Sequence, residues 1–124
     1  MVQGFLPGQH TLEGYGNGGF RFGGMSHRGS ILALPSGIRS WGPVMPKEID
    51  LASLEPVLAE PKGTIDHLLI GTGVDLVPLP AVIMQALRDA GIRPEPMPTG
   101  AAARTYPILL GEKRLVAAAL LAVP

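Results

Sequence analysis

The sequence predicts an α/β protein that folds as one domain. The second half alternates buried strands with amphipathic helices, whereas the first half is rich in glycine and in short strands of alternating polarity. With 124 residues, of which 46% are apolar, the chain can bury one hydrophobic core. We therefore expect residues 1–124 to form a single domain, with residues 1–10 only loosely ordered.

The first half is predicted to contain four strands. Asn17 and Gly18 separate the first two and predict a tight hairpin turn, because both positions of such a turn need a positive φ. Pro35, Ser36 and Gly37 predict a turn between the other two. The four predicted strands are Thr11–Tyr15, Gly19–Phe22, Ser30–Leu34 and Ile38–Trp41.

A short helix is predicted after a proline-containing connector. It runs from Leu54 to about Glu60, with Ser53 as its N-cap. Glu55 lies in the first turn, where a negative charge interacts favourably with the helix dipole. Pro56 is compatible with this helix only because it lies early in the first turn.

The second half alternates strands and helices. Its predicted elements, in chain order, are Ile65–Ile70, the helix Pro80–Ala90, Ile92–Met97, the helix Thr99–Leu110, and Leu115–Val123. Thr99 is expected to cap its helix, and Gly91 and Gly111 are expected to end the two helices. Because Leu115–Val123 is apolar on both faces, we expect a central strand with helices packed closely over it.

The hydrophobic core is expected to lie mostly in this second half. Its predicted members are apolar residues that recur at strand or helix spacing. They are Leu68, Ile70, Ile83, Leu87, Ile92, Leu109, Val116 and Leu120.

Composition excludes several classes of function. Ten basic and ten acidic residues balance, five of each sign in either half, so no basic region is available to bind nucleic acid. Without cysteine the chain forms neither disulfides nor thiolate metal sites, which is compatible with a reducing compartment.

The longest apolar run has nine residues, whereas a membrane span needs about 20. Because residues 1–10 also lack the pattern of a signal peptide, a cytoplasmic protein without a transmembrane segment is expected.

Two glycine patterns resemble nucleotide-binding fingerprints. Gly14–Gly19 matches G-x-G-x-x-G letter for letter, but it lies in the predicted hairpin and no helix follows it. Gly71–Gly73 follows a strand and precedes a helix, yet Leu76 stands where the third glycine is needed. Glu95 is near the place of a ribose-binding acid, but it lies between two prolines. We therefore predict no nucleotide cofactor.

No catalytic or metal-binding constellation is recognisable in the sequence. His10, His27 and His67 have no second ligand at helical spacing, and we predict that His27 and His67 bind no metal. No serine lies in a nucleophile elbow. Asp66 and Asp75 flank the second glycine pattern, where salt bridging or capping explains a carboxylate as well as acid–base catalysis does. Enzymatic activity is therefore not predicted.

One place is a candidate for binding an anion or a small ligand. The carboxyl ends of neighbouring parallel strands open onto a shared crevice, which here brings the loop Gly71-Thr72-Gly73 beside the helix start at Thr99 and Gly100. Free N–H groups at a helix start favour an anion, and Arg104 lies one turn inside the helix. The alternative is that a capped helix and a tight loop simply pack together, with Arg104 paired to a nearby aspartate.

Three runs of sequence are distinctive together: Leu68–Gly73, Gly91–Tyr106 with its Glu-Pro-Met-Pro-Thr-Gly-Ala-Ala-Ala-Arg-Thr-Tyr segment, and Arg114–Leu120. Over nearly its whole length the chain resembles a small family. That family contains the adipogenesis-associated domain proteins, the mitochondrial NADH:ubiquinone oxidoreductase complex assembly factor 3 and many uncharacterised bacterial members.

The resemblance implies a three-layer β+α/β/α fold with a mixed central sheet and an N-terminal β-hairpin region. It implies no established enzymatic activity, and for the mitochondrial branch it implies an assembly factor that acts by protein–protein contact at the inner membrane. The family pattern usually has Asn after Arg-Thr-Tyr, where this sequence has Pro107. Because proline lacks an N–H and crowds the carbonyl of Ala103, the helix is expected to kink there.

The sequence leaves two functions open. The first is a non-catalytic interaction or accessory protein, related to respiratory complex I assembly, that contacts membranes only through a protein partner. The second is a small-molecule or anion-binding protein that uses the crevice formed by Gly71–Gly73, Thr99, Gly100 and Arg104. The lack of an acid–base pair or nucleophile favours the first.

Overall fold

The computed structural model describes residues 5–124, and within this range the chain forms nine strands and three α-helices. The strands are β1 Leu6–Pro7, β2 Gly14–Gly16, β3 Gly19–Phe22, β4 Met25–Arg28, β5 Ile31–Leu34, β6 Gly37–Ser40, β7 His67–Gly71, β8 Arg93–Met97 and β9 Val116–Leu120. The helices are α1 Glu55–Leu58, α2 Ala81–Asp89 and α3 Thr99–Gly111. This arrangement confirms the predicted α/β class.

Six of the strands form one mixed sheet in the order β1-β6-β5-β9-β7-β8. Strands β9, β7 and β8 are parallel, whereas β1, β6, β5 and β9 pair antiparallel. The last strand, β9, lies in the middle of the sheet, and all five of its residues are buried. The prediction of a mixed sheet with a central alanine-rich strand is therefore confirmed.

Both faces of the sheet are covered, which explains why β9 is apolar on both sides. Ala117 and Ala119 face a cluster that includes Ile83 and Leu87 of α2. The intervening residues of β9 face a second cluster that includes Tyr106 of α3. On one face the small alanine side chains let α3 pack closely against β9 and β7, whereas on the other face α2 packs mainly against β8.

The predicted core is confirmed with one exception. Seven of the eight residues are buried, from Leu68 and Ile70 in β7 to Leu120 in β9. Leu109 is only partly buried and packs at the rim of the cluster under α3. It lies in the last turns of a helix whose opposite side faces solvent, where the exposed fraction of Ile108 is 61%.

The edge strand β8 contains two prolines that fit its position. The backbone N–H of Arg93 donates to Asp66 in the segment that leads into β7, at 2.8 Å, so odd-numbered residues direct their N–H groups toward β7. Pro94 and Pro96 therefore have their missing N–H groups on the open side of the sheet. An edge without two of its donors resists pairing with another chain.

The remaining three strands form a second, antiparallel sheet in the order β2-β3-β4. The predicted turn between β2 and β3 is confirmed, since Asn17 and Gly18 have φ of 53° and 80°. Strand β4 was not predicted; it follows a second tight turn at Gly23 and Gly24 with φ of 58° and 73°. The hairpin region is thus a three-stranded sheet.

The N-terminal segment differs from the expectation of loose order through residue 10. Leu6 and Pro7 pair with Ile38 and Gly37 as a short edge strand. Leu6 also packs against the second core cluster, and this apolar contact gives the segment a defined position. Residues 1–4 lie outside the described range.

Helix α1 is shorter than predicted, and Ser53 does not cap it. The helix covers Glu55–Leu58, and its N-cap is Leu54, which makes no side-chain capping bond. The Ser53 hydroxyl instead donates to the carbonyl of Asp50 at 2.8 Å and accepts from the N–H of the same residue at 3.0 Å. Because the Ser53 hydroxyl forms this local turn with Asp50, it is not available to cap α1.

The two longer helices end differently from each other. As predicted, Gly91 takes the left-handed position after α2, with φ of 82°. Helix α3 passes through Gly111, which was predicted to end it, and the left-handed residue is Lys113 with φ of 61°. Arg114 donates to Leu109, and Lys113 to Leu110, which is the hydrogen-bond pattern that normally places glycine at residue 113.

We expect Lys113→Gly to raise the free energy of unfolding by about 1 kcal/mol, because a side chain disfavours the left-handed conformation. Gly91→Ala, at the equivalent position after α2, is expected to lower it by about the same amount. Urea denaturation of both variants measures this. Similar effects of the two substitutions would contradict the assignment of the helix ends.

Pro107 lies inside α3, and the helix continues through it to Gly111. Proline cannot donate to the carbonyl of Ala103, so one helical hydrogen bond is missing at this turn. The kink near Ala103–Pro107 stays a prediction, since the backbone is helical without interruption from Thr99 to Gly111.

Candidate functional site

The predicted crevice residues converge, and they bind one another. The N–H of Gly73 donates to Thr99 Oγ1 at 3.0 Å, and the N–H of Thr99 donates to the carbonyl of Gly73 at 2.8 Å. The loop after β7 is thus fastened to the start of α3 in both directions. We call this contact, formed by Gly71, Thr72, Gly73 and Thr99, the loop–helix joint.

Thr99 does not cap α3 as predicted. It is fully buried as the first residue of the helix, and the capping position belongs to Pro98, which makes no side-chain bond. The Thr99 hydroxyl donates to the carbonyl of Leu121 at 2.8 Å while it accepts from Gly73. The side chain therefore connects the segments that follow β7 and β9, and this use competes with capping.

Thr72 and Gly71 complete the joint. The Thr72 hydroxyl donates to the carbonyl of Asp75 at 2.7 Å and accepts from the N–H of Val77 at 3.0 Å, so it organises the loop. A Cβ on Gly71 would lie 2.8 Å from Thr99 Oγ1, so glycine permits the close packing here. The polar groups that a ligand would use at Gly73 and Thr99 are already paired.

Arg104 is exposed beside the joint, whereas Gly100 is half-buried beneath the Tyr15 hydroxyl. Arg104 Nη1 donates to the hydroxyl of Tyr15 at 2.6 Å, and its guanidinium carbon lies 6.0 Å from the centre of the Tyr15 ring. Within residues 5–124, Arg104 forms no ion pair with Asp66 or Asp75. The charge of Arg104 is therefore available at the start of α3.

Glu95, the candidate ribose-binding acid, contacts a histidine instead. Its Oε1 lies 2.9 Å from Nδ1 of His67, and Nη1 of Arg93 lies 3.1 Å from Nε2 of the same ring. Because a guanidinium only donates, Nε2 accepts and the ring proton belongs on Nδ1, which donates to Glu95. Both ring nitrogens are thus engaged. No cluster of three metal-ligating side chains occurs among the described residues.

The small sheet β2-β3-β4 presents a further surface, which was not predicted from the sequence because β4 was not predicted. The register of β2, β3 and β4 places Gly14, Gly16, Gly19, Arg21, Ser26 and Arg28 on one face of the small sheet. We call it the basic face. It borders an open cleft of about 470 Å³. The Gly23-Gly24 pair was the one sequence signal for the turn that brings Ser26 and Arg28 beside Arg21.

Tyr106 is a buried titratable group on the inner side of α3. Its side chain is fully buried, and its hydroxyl lies 3.3 Å from the carbonyl of His10. Burial raises the pKa of Tyr106 to about 12. The neutral phenol is therefore the form that the fold stabilises.

Alkaline pH is expected to weaken the fold through Tyr106. Its pKa is higher in the folded state, so its contribution is fully present below about pH 10 and is lost as the pH rises toward 12, up to about 2–3 kcal/mol. We expect Tyr106→Phe to remove this part of the pH dependence. Urea denaturation of both proteins between about pH 9 and pH 11 measures the difference. Parallel pH profiles would contradict a buried, neutral Tyr106.

Comparison with known families places this chain within one of them. A family model described as a protein of unknown function (DUF498/DUF598) matches residues 12–121. The chain belongs to this family. The match covers the small sheet, the loop–helix joint and β9, and it confirms the resemblance that the sequence motifs predicted.

Similar proteins fall into two groups. An uncharacterised protein of Rhodobacter capsulatus is 39% identical over 119 residues, which cover 96% of this chain and 90% of that protein. The zebrafish NADH dehydrogenase [ubiquinone] 1 alpha subcomplex assembly factor 3 is 35% identical over 115 residues, 92% of this chain and 65% of the factor. The chain thus spans slightly less than two thirds of the assembly factor.

A solved structure agrees closely with the fold. A crystal structure from Bartonella henselae, described as an outer membrane protein, is 47% identical with a TM-score of 0.90, over 95% of this chain and 98% of that one. Within residues 5–124, no helix of this chain is long and apolar enough to cross a membrane.

Proposed function

We propose that this protein is a non-catalytic accessory factor that binds another protein, with a role in the assembly of respiratory complex I. The observation that carries the proposal is the 35% identity with zebrafish assembly factor 3 across 92% of this chain. The proposed compartment is the cytoplasm, with membrane contact only through the partner.

The chemistry of the site supports binding rather than catalysis. In the loop–helix joint, the hydroxyls of Thr72 and Thr99 are fully used in holding backbone segments. His67 is held on both ring nitrogens by Glu95 and Arg93. None of these groups is set up as a nucleophile beside a free general base, which is the arrangement that catalysis by side chains requires.

Exposed apolar side chains near the joint also support a protein partner. Val74 and Leu76, in the loop after β7, have exposed fractions of 70% and 55%. Val82, in the first turn of α2, is 68% exposed. Val74 and Leu76 lie two residues apart in one loop, and exposed apolar patches are typical of surfaces that bind other proteins.

The test is deletion of the gene in the organism that encodes this chain. We expect membrane NADH:ubiquinone oxidoreductase activity to fall several-fold while succinate dehydrogenase activity is unchanged. Expression of the wild-type chain should restore the first activity. Equal loss of both activities, or no loss, would contradict a role in complex I assembly.

A second candidate function, anion binding at the start of α3, is favoured by the charge of Arg104, which no carboxylate neutralises within residues 5–124. The first helical hydrogen bond is donated by Ala102 to Pro98, so the N–H groups of Gly100 and Ala101 have no partner within the helix. Together with Arg104 they form the part of the predicted crevice that the loop–helix joint leaves available.

For this candidate, we expect a phosphate titration to shift the amide NMR signals of Gly100 and Ala101, and Arg104→Ala to weaken the binding about tenfold. Arg88→Ala, which removes an exposed arginine from α2, serves as the control. Shifts that persist unchanged in Arg104→Ala would rule out this site.

A further inference from the structure

The small sheet has two chemically different faces, and only one is covered. Phe20 and Phe22 are buried in the second core cluster, which fixes the inner face. Residues that alternate with them along β3, and their cross-strand partners, form the basic face. It consists of three glycines, two arginines and one serine: Gly14, Gly16, Gly19, Arg21, Ser26 and Arg28.

The three glycines carry no side chain on this face, and the arginines border the space that is left. A Cβ on Gly14 would lie 3.8 Å from Cδ of Arg21, and one on Gly18 would lie 3.9 Å from Nη1 of Arg28. Larger residues at these positions would fill the space beside the guanidinium groups. The cleft of about 470 Å³ is lined by Gly16 and Gly19 together with Arg21, Ser26 and Arg28 of this face.

Within residues 5–124, no carboxylate pairs with the positive charge of the cleft. Both arginines are exposed, and among residues 5–124 neither forms an ion pair with a carboxylate. The residues that line the cleft include no aspartate or glutamate. This local excess contrasts with a chain whose ten basic and ten acidic residues balance overall. The cleft is thus complementary to a negatively charged ligand.

The spacing of the arginines indicates what kind of anion fits. Arg21 is directly opposite Ser26, and Arg28 is two residues beyond Ser26 on the same face, so the two arginines are diagonal neighbours. Such neighbours on adjacent strands have Cα atoms roughly 7–8 Å apart. Alternate residues of an extended peptide project on the same side at a spacing of about 7 Å. Two acidic side chains two residues apart therefore match the two guanidinium groups.

Ser26 adds a donor between the two charges. Its Oγ accepts a hydrogen bond from Nη1 of Arg21 at 3.2 Å, which leaves the hydroxyl proton free to donate. This bond also holds the Arg21 guanidinium toward Ser26. A carboxylate at this position would receive bonds from both side chains.

We propose that the basic face binds an extended acidic segment of the partner protein, in which aspartate or glutamate alternates with other residues. This inference rests on the proposed function, because it assigns the surface through which an accessory factor would hold its partner. The arginines and Ser26 bind alternate carboxylates, and the glycine surface lets the peptide backbone approach the sheet closely.

The probe is an acetylated, amidated peptide with the sequence Glu-Val-Glu-Val-Glu, titrated into the full chain and followed by amide NMR shifts. The control peptide, Glu-Glu-Glu-Val-Val, has the same composition and charge without the alternation. We expect the alternating peptide to bind several-fold more tightly and to shift the amide signals of Arg21, Ser26 and Arg28. Binding should weaken as salt is added.

The variant R21E/R28E is expected to lower the affinity for the alternating peptide about tenfold or more, because it reverses both charges. R88E reverses an exposed arginine of α2 and should leave the affinity unchanged. Spectra of both variants check that the fold is kept. Equal binding of the two peptides, shifts elsewhere, or displacement by inorganic phosphate at matched concentration would overturn the proposal.

The deletion strain separates this inference from the proposed function. We expect R21E/R28E to fail to restore NADH:ubiquinone oxidoreductase activity, whereas R88E restores it. Full restoration by R21E/R28E would remove the basic face from the mechanism and leave the accessory role in place. If deletion itself has no effect on that activity, the accessory role fails, whatever the peptide experiment shows.

Discussion

Thr99→Val is expected to lower the free energy of unfolding by about 2–5 kcal/mol. Valine is β-branched like threonine and has a methyl group in place of the hydroxyl, so the change removes the hydroxyl with little change in side-chain size. The N–H of Gly73 then loses its acceptor and the carbonyl of Leu121 loses its donor. Thr99 is fully buried, so water does not readily replace either partner.

Thr99→Ser is the matched control for this substitution. It retains the hydroxyl and deletes one methyl group, so we expect it to cost about 1 kcal/mol. Urea denaturation measures both variants, and amide hydrogen exchange at Gly73 reports whether the loop–helix joint opens locally. Equal destabilisation by valine and serine would show that packing, and not hydrogen bonding, makes Thr99 important.

The joint illustrates where prediction from sequence succeeds and where it fails. The sequence correctly indicated that Gly71–Gly73 and Thr99 lie together, because strand order and the parallel β–α–β pattern determine which loops meet. It could not indicate that the Thr99 hydroxyl points inward. The direction of the Thr99 hydroxyl depends on its acceptor, the carbonyl of Leu121, which is 22 residues away in the sequence. The two groups lie close together only because β9 pairs with β7 in the sheet.

The small sheet shows a second kind of limit. The first turn, Asn17-Gly18, was predicted because its residue types are specific for that conformation. The strand after Gly23-Gly24 was missed, since Met25–Arg28 has an exposed hydrophobic residue and no buried one. The position of β4 is set by its pairing with β3 and is not indicated by the pattern of polar and apolar residues within β4. The basic face, which needs all three strands, was therefore beyond the reach of sequence pattern alone.

Helix ends show the same division between local and tertiary causes. Gly91 was correctly placed, because glycine alone accounts for a left-handed residue after α2. After α3 the corresponding residue is Lys113, two positions beyond the glycine that the sequence suggested. Entry of the chain into β9 sets where α3 stops, and Lys113 adopts a conformation that its side chain disfavours.

Gly19→Ala is expected to destabilise the small sheet by about 3 kcal/mol or more, because the new methyl group has no room. A Cβ at Gly19 would lie 2.0 Å from the carbonyl oxygen of His27 and 3.1 Å from Cα of Arg28. Both are backbone atoms, so a change of side-chain rotamer cannot relieve the overlap. Strand β4 must move away from β3, which weakens their hydrogen bonds.

Gly42→Ala is the control, since a Cβ at Gly42 meets nothing within 4 Å and its φ is not positive. That substitution should leave stability unchanged or raise it slightly. Hydrogen exchange of the β3 and β4 amides, together with urea denaturation, measures both variants. We expect exchange to accelerate in β4 before it does in the six-stranded sheet, because β4 is an edge strand that pairs only with β3. Wild-type protection in Gly19→Ala would mean that the two strands do not pack as closely as the structure indicates, and the shape of the basic face would then have to be revised.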